Sequence, residues 1–111
     1  MPARTGAEFL ARLASTRTHV EIQGESLIGG VASHPAFANV VRTYAGLFDL
    51  QHAPEHRNTL TYPSPATGDP VATSFLIPRT AEDLVKRRQA FRVWAERSQG
   101  MLGRTGDYLN S

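Results

Sequence analysis

Apolar positions recur along this chain with two different periods, and the changes of period mark its elements. Phe9, Leu10 and Leu13 give one apolar face to a short stretch that follows Thr5-Gly6-Ala7-Glu8. That tetrad is a capping-box pattern, in which the Thr hydroxyl accepts from the third helical amide and the Glu reaches back, so a first short helix is predicted here. Val20-Glu21-Ile22 and Ser26-Leu27-Ile28 then alternate apolar and polar around Gln23-Gly24-Glu25, the pattern of a small hairpin, which Gly29-Gly30 ends. After His34-Pro35 the period changes again. Phe37, Val40, Val41, Tyr44, Leu47 and Phe48 recur at spacings of three and four and form one apolar stripe along a helix. Pro35 suits its first position, where a missing N–H has no partner to lose, and Pro54 marks its end or the end of a frayed tail.

Thr59 to Tyr62 and Val71 to Ile77 are rich in β-branched and aromatic residues, and the eight residues between them, from Pro63 to Pro70, are turn-forming throughout. A second hairpin with a long loop is predicted. Thr80 to Asp83 repeats the capping box with Asp in place of Glu and opens a helix running to about Gln99. Leu84, Phe91, Trp94 and Ala95 supply its buried face, and Gly100 provides a left-handed stop. The sum is three helices and two short hairpins, a mainly α (α+β) chain without internal repeats. Two-stranded hairpins are not stable alone and must lean on helices or on something else.

Composition adds bounds rather than detail. A chain of 111 residues, 41% hydrophobic and 20% charged, suits one globular domain over 1–111. Twelve Lys and Arg against ten Asp and Glu leave a net charge of +2, which does not call for a nucleic-acid partner. No stretch approaches the roughly 20 apolar residues of a membrane span, and the first five residues lack the apolar run of a secretory signal. There is no cysteine, which excludes disulfides and thiolate chemistry within these residues. The expectation is a cytoplasmic protein with neither a membrane nor a nucleic acid as partner.

Four places could carry chemistry. His52-Ala53-Pro54-Glu55-His56 matches a zinc-peptidase string, but that string needs a continuous helix, and Pro54 interrupts it; a surface turn and no metal is the reading adopted. Lys86-Arg87-Arg88 with Arg92 and Arg97 could follow phosphates, yet Glu82, Asp83 and Glu96 share the helix and Arg92 stands four residues before Glu96, so a solvated or interface-facing side is expected. Gly100, Gly103 and Gly106 follow a helix, whereas a phosphate cradle needs glycines before one. Arg104 and Tyr108 are the fourth place. A permanent cation with a fork of donors beside a phenolic hydroxyl could stabilise an oxyanion such as a phenolate.

Several strings along the whole chain resemble the oxygenase component of the 4-hydroxyphenylacetate 3-hydroxylase family, in the same order. They are Thr5 to Leu10, the Gly24-Glu25 hairpin, Ser33 to Phe37, Tyr44 to Asp49 with Gln51-His52, Ser74 to Pro78, Asp83-Leu84, and Gly100 to Tyr108, of which the last is the most specific. The resemblance implies an acyl-CoA dehydrogenase-like fold, of which residues 1–111 would form the N-terminal helical domain, with a central β-barrel and a C-terminal helical bundle absent. It implies reduced FAD supplied by a separate flavin reductase, O2 as co-substrate, a phenolic small molecule such as 4-hydroxyphenylacetate hydroxylated ortho to its hydroxyl, and a homotetramer at full length. It places contacts to the phenolic oxygen on Arg104 and Tyr108 and leaves the flavin-contacting residues unknown. The family usually has proline where Gly106 stands, and glycine loosens the turn that sets the Arg–Tyr distance. These residues alone are expected to be inactive. Two alternatives stay open: a 4-hydroxybutyryl-CoA dehydratase-like enzyme, against which the missing cysteines argue, and a non-enzymatic helical interaction module.

Overall fold

The computed structural model describes residues 2–101. The chain divides into two compact units, Arg4–Asp49 and Met1–Ala3 with Leu50–Ser111, and each is built from the sequence in its own way.

In the first unit, α1 spans Gly6–Ser15 and carries both halves of the predicted capping box. Thr5 Oγ1 accepts from the Glu8 N–H at 3.2 Å, and the Thr5 N–H donates to Glu8 Oε2 at 2.8 Å. The Gly6 N–H donates to Asp49 Oδ1 at 2.7 Å, so a carboxylate from the end of the next long helix meets the positive end of α1. A side chain on Gly6 would not fit: its Cβ would stand 2.5 Å from the Ala45 carbonyl oxygen. The hairpin pairs β1 (His19–Ile22) with β2 (Glu25–Ile28) in antiparallel register, Val20 opposite Leu27. Gln23 and Gly24 both have positive φ, 48° and 84°, as a two-residue type I′ turn requires. A turn of 3-10 helix at Val31–Ser33 leads to α2, Ala38–Leu50. Regular helix thus begins three residues beyond Pro35, but its hydrogen bonding starts where the proline predicts, since the Ala38 N–H already donates to the His34 carbonyl at 2.9 Å. Val41, Ala45 and Leu47 are buried, and Phe48 stacks on Phe9 of α1 with ring centroids 4.9 Å apart.

In the second unit the predicted hairpin is shorter than expected at both ends. Thr59 and Leu60 belong to a single helical turn, α3 (Arg57–Leu60). Strand β3 is Thr61–Pro63 and β4 is Pro70–Ala72, with Tyr62 opposite Val71. Two local side-chain bonds account for the difference, since Thr hydroxyls compete with ladder bonds for backbone partners. Thr61 Oγ1 donates to the Arg57 carbonyl at 2.7 Å and keeps that turn closed. Thr73, fully buried, donates to the Thr59 carbonyl at 2.8 Å and turns the chain into a 3-10 turn at Thr73–Phe75. Phe75 and Ile77 consequently stand 70% and 73% exposed instead of lying in a strand. Helix α4, Ala81–Arg97, buries Ala90 and Trp94; Leu84, predicted on the buried face, is 58% exposed. Leu60 is fully buried, a burial that contributes roughly 2 kcal/mol for a leucine-sized side chain. Among the described residues no helix is long and apolar enough to cross a membrane.

Candidate functional site

The two residues that the sequence marks for phenolate recognition, Arg104 and Tyr108, lie outside the described residues. What the structure does define is the helix that leads to them. The N-terminus of α4 is held by the second predicted capping box: Thr80 Oγ1 accepts from the Asp83 N–H at 3.2 Å, and Asp83 Oδ2 accepts from the N–H groups of Arg79 and Thr80 at 2.9 and 3.1 Å. The Arg79 N–H, ahead of the other donors, holds the Asp83 carboxyl below the usual carboxylate range, because hydrogen bonds to the charged form favour it.

The other end of α4 closes in a Schellman motif. The Gly100 N–H reaches the Ala95 carbonyl at 2.7 Å and the Gln99 N–H reaches the Glu96 carbonyl at 3.3 Å. The left-handed residue at the first position past the helix is therefore Gln99, with φ 53°, and Gly100 follows at φ 81°. The predicted stop is in place, one residue earlier than glycine alone would put it. Ser98 Oγ adds a bond to the Trp94 carbonyl at 2.9 Å, so three hydrogen bonds fix the backbone where α4 ends, at Ser98 to Gly100.

Along its length α4 separates its cations by environment. Arg92 Nε meets Glu96 Oε1 at 2.8 Å, the predicted pair. Arg87 lies over Phe91, its guanidinium carbon 5.6 Å from the ring centroid, and Phe91 tilts against Trp94 at 5.7 Å; Arg87 Nε is buried without a hydrogen-bond partner. Lys86 lines a groove with Arg57 and Asn58. Beside the C-terminal end of α4 a second groove, about 450 Å³ in volume, is lined by Glu55, His56, Glu96, Arg97 and Gln99, an arrangement of two carboxylates, an imidazole and a guanidinium that could accept a polar molecule. The string from His52 to His56 forms turns after α2 ends at Leu50, so its two imidazoles share no helical face. Among the described residues no group of three His, Cys, Asp or Glu is placed to hold a metal ion.

One polar assembly in the Arg4–Asp49 unit had no sequence signal. His34 Nδ1 accepts from the Ala36 N–H at 3.1 Å and its Nε2 lies 3.3 Å from Glu25 Oε2. The first bond requires an unprotonated Nδ1, which puts the proton on Nε2 and makes it the donor to Glu25. A histidine thus caps α2 and ties the β1–β2 turn to it, joining two of the strings that carry the family resemblance.

Mixed helices and small strands of this kind are also found in known proteins. The sequence model of the family described as 4-hydroxyphenylacetate 3-hydroxylase N terminal matches residues 5–111. The 4-hydroxyphenylacetate 3-monooxygenase oxygenase component of Geobacillus sp. (strain PA-9) is 46% identical over 111 residues, covering 100% of this chain and 22% of that protein. That of Thermus thermophilus is 45% identical over 98% of this chain and 22% of its own length. A crystal structure of the oxygenase component of 4-hydroxyphenylacetate 3-monooxygenase complexed with FAD and 4-hydroxyphenylacetate superposes with a TM-score of 0.83 at 44% identity, over 92% of this chain and 21% of that one. The chain belongs to the 4-hydroxyphenylacetate 3-hydroxylase family, matching its N-terminal region. It spans about a fifth of the length of these relatives.

Proposed function

We propose that this chain is the N-terminal region of a two-component aromatic monooxygenase that uses reduced FAD, delivered by a separate flavin reductase, and O2 to hydroxylate a phenol of the 4-hydroxyphenylacetate class ortho to its hydroxyl group. The observation that carries this reading is the match of 44% identity and TM-score 0.83 to a structure that holds both FAD and 4-hydroxyphenylacetate. In this reading the fold is of the acyl-CoA dehydrogenase type, residues 1–111 are its N-terminal domain, and the whole enzyme is a cytoplasmic homotetramer.

Arg104 and Tyr108 carry this chain's share of the chemistry. When bound, reduced FAD supplies an oxygen atom activated from O2. The ring carbon ortho to the hydroxyl accepts that atom more readily when the phenol has lost its proton. A guanidinium, charged at every working pH, and a tyrosine hydroxyl aimed at the phenolic oxygen favour the ionised form. The three grooves described in the Leu50–Ser111 unit are open and supply no enclosed cradle for a flavin, so in this reading the flavin is held mostly by residues outside this chain.

Substitution of Arg104 by Ala in the oxygenase is expected to lower product formation by roughly a hundredfold, the usual cost of losing one oxyanion donor, while reduced flavin still binds. The ratio of hydroxylated product to oxygen consumed reads this directly. An unchanged ratio in Arg104→Ala would remove the assignment.

A further inference from the structure

One groove of the Leu50–Ser111 unit stands apart from the proposed phenol chemistry. It runs between α3 with β3 on one side and the middle of α4 on the other, and has a volume of about 390 Å³. Its polar lining is formed by Arg57, Asn58, Tyr62 and Lys86, with Pro63 and Gly68 among its walls, and no carboxylate lines it. Among the described residues neither Arg57 nor Lys86 has a carboxylate within ion-pair distance. The nearest sequence candidate, Glu82 four residues before Lys86, lines the neighbouring groove with it but forms no ion pair.

Two cations among the lining residues of one groove repel each other, and no carboxylate lines the groove to offset them. Thr61, a buried residue of the groove lining, is committed to the Arg57 carbonyl, and that bond fixes the backbone from which the Arg57 side chain departs. The four polar side chains supply donors: five N–H groups from the guanidinium, three from the ammonium, two from the carboxamide and one from the phenol. A set with that many donors and two positive charges suits a tetrahedral oxyanion with several acceptor oxygens better than a planar carboxylate with two. The volume is about that of a dozen water molecules, more than one tetrahedral anion needs.

We propose that the groove bounded by Arg57, Asn58, Tyr62 and Lys86 is a recognition site for a phosphate-class oxyanion, either free phosphate or the diphosphate of a small nucleotide. The proposal does not depend on the monooxygenase reading. It is tested by titrating the isotopically labelled 111-residue chain with inorganic phosphate, pyrophosphate and ADP, with chloride used to hold ionic strength constant. Saturable amide shifts confined to residues 57–63 and 86 are expected, with affinity weakened at least roughly tenfold in Arg57→Gln and in Lys86→Gln and lost in the double variant, while the circular dichroism of the variants is unchanged. Both substitutions lie on side chains outside the core, so the variants remain informative. Saturation by all three ligands assigns free phosphate, and saturation by pyrophosphate and ADP alone assigns a diphosphate. Shifts that never saturate, that follow ionic strength alone, or that survive the double substitution would overturn the proposal.

Discussion

At the scale of single residues, two side chains do more than their types suggest. Asp49 lies 43 positions from Gly6 yet caps its N–H at 2.7 Å, and Gly6 is present because the Ala45 carbonyl occupies the space where a Cβ would go. Gly6→Ala is therefore expected to destabilise the chain by about 2 kcal/mol, as overpacking in a fixed backbone typically does, despite alanine's better helix propensity. Chemical denaturation of the two forms measures it; an equal or higher stability for the alanine form would mean that α1 shifts freely away from Asp49. Neither partner of this contact was legible in the sequence, because Gly6 looked like an ordinary residue inside a capping box and Asp49 like the polar side of a helix end. The same holds for His34, whose cap on Ala36 and bond to Glu25 bring together residues nine apart with no periodic signal between them.

At the scale of elements, the local rules were read correctly wherever the partner lies within a few residues. Both capping boxes, the first hairpin turn and the stop of α4 depend on neighbours along the chain: the boxes stand where the pattern put them, the turn takes two residues, Gln23 and Gly24, instead of three, and the stop falls one residue early at Gln99. The errors fall where a distant group competes. The run from Val71 to Ile77 has the composition of a strand, but Thr73 is drawn to the Thr59 carbonyl 14 residues away, and the strand ends at Ala72. Leu84 has the periodicity of a buried position, but burial is decided by what packs on that side, and there it is 58% exposed.

The cap of α4 also makes a pH prediction. The folded-state pKa of Asp83 is lowered from its model-compound value of 3.8. Its contribution to helix stability is thus complete above that value and is lost as pH falls through the lower folded-state value. Helical signal from α4 is expected to decline on acidification below about pH 4, and Asp83→Asn should flatten that part of the titration. Identical acid profiles for both proteins would show that the cap does not respond to charge.

At the scale of the whole molecule, the family was visible in strings scattered from Thr5 to Tyr108, and the comparison with known proteins bears that out over residues 5–111. The elements that deliver the chain to Arg104 and Tyr108 are defined by α4, capped at Thr80 and closed at Gln99 and Gly100. Their spacing could be read from the sequence. The resulting pocket could not, because a site for a phenol closes only when groups distant along the chain meet around it. The grooves, too, come from distant segments: Arg57 and Lys86 are 29 positions apart and share no motif, yet line one concavity.

The most direct test of the central claim follows the ionisation of the bound substrate. An oxygenase in which residues 5–111 replace the matching fifth of the Geobacillus relative would be titrated spectroscopically with 4-hydroxyphenylacetate across pH. With Arg104 and Tyr108 present, the bound phenol is expected to ionise well below the value of about 10 typical of a tyrosine-like phenol, since an adjacent permanent cation favours the charged form. In Arg104→Ala it should return toward that value. A bound phenol whose ionisation is the same with and without Arg104 would contradict the account.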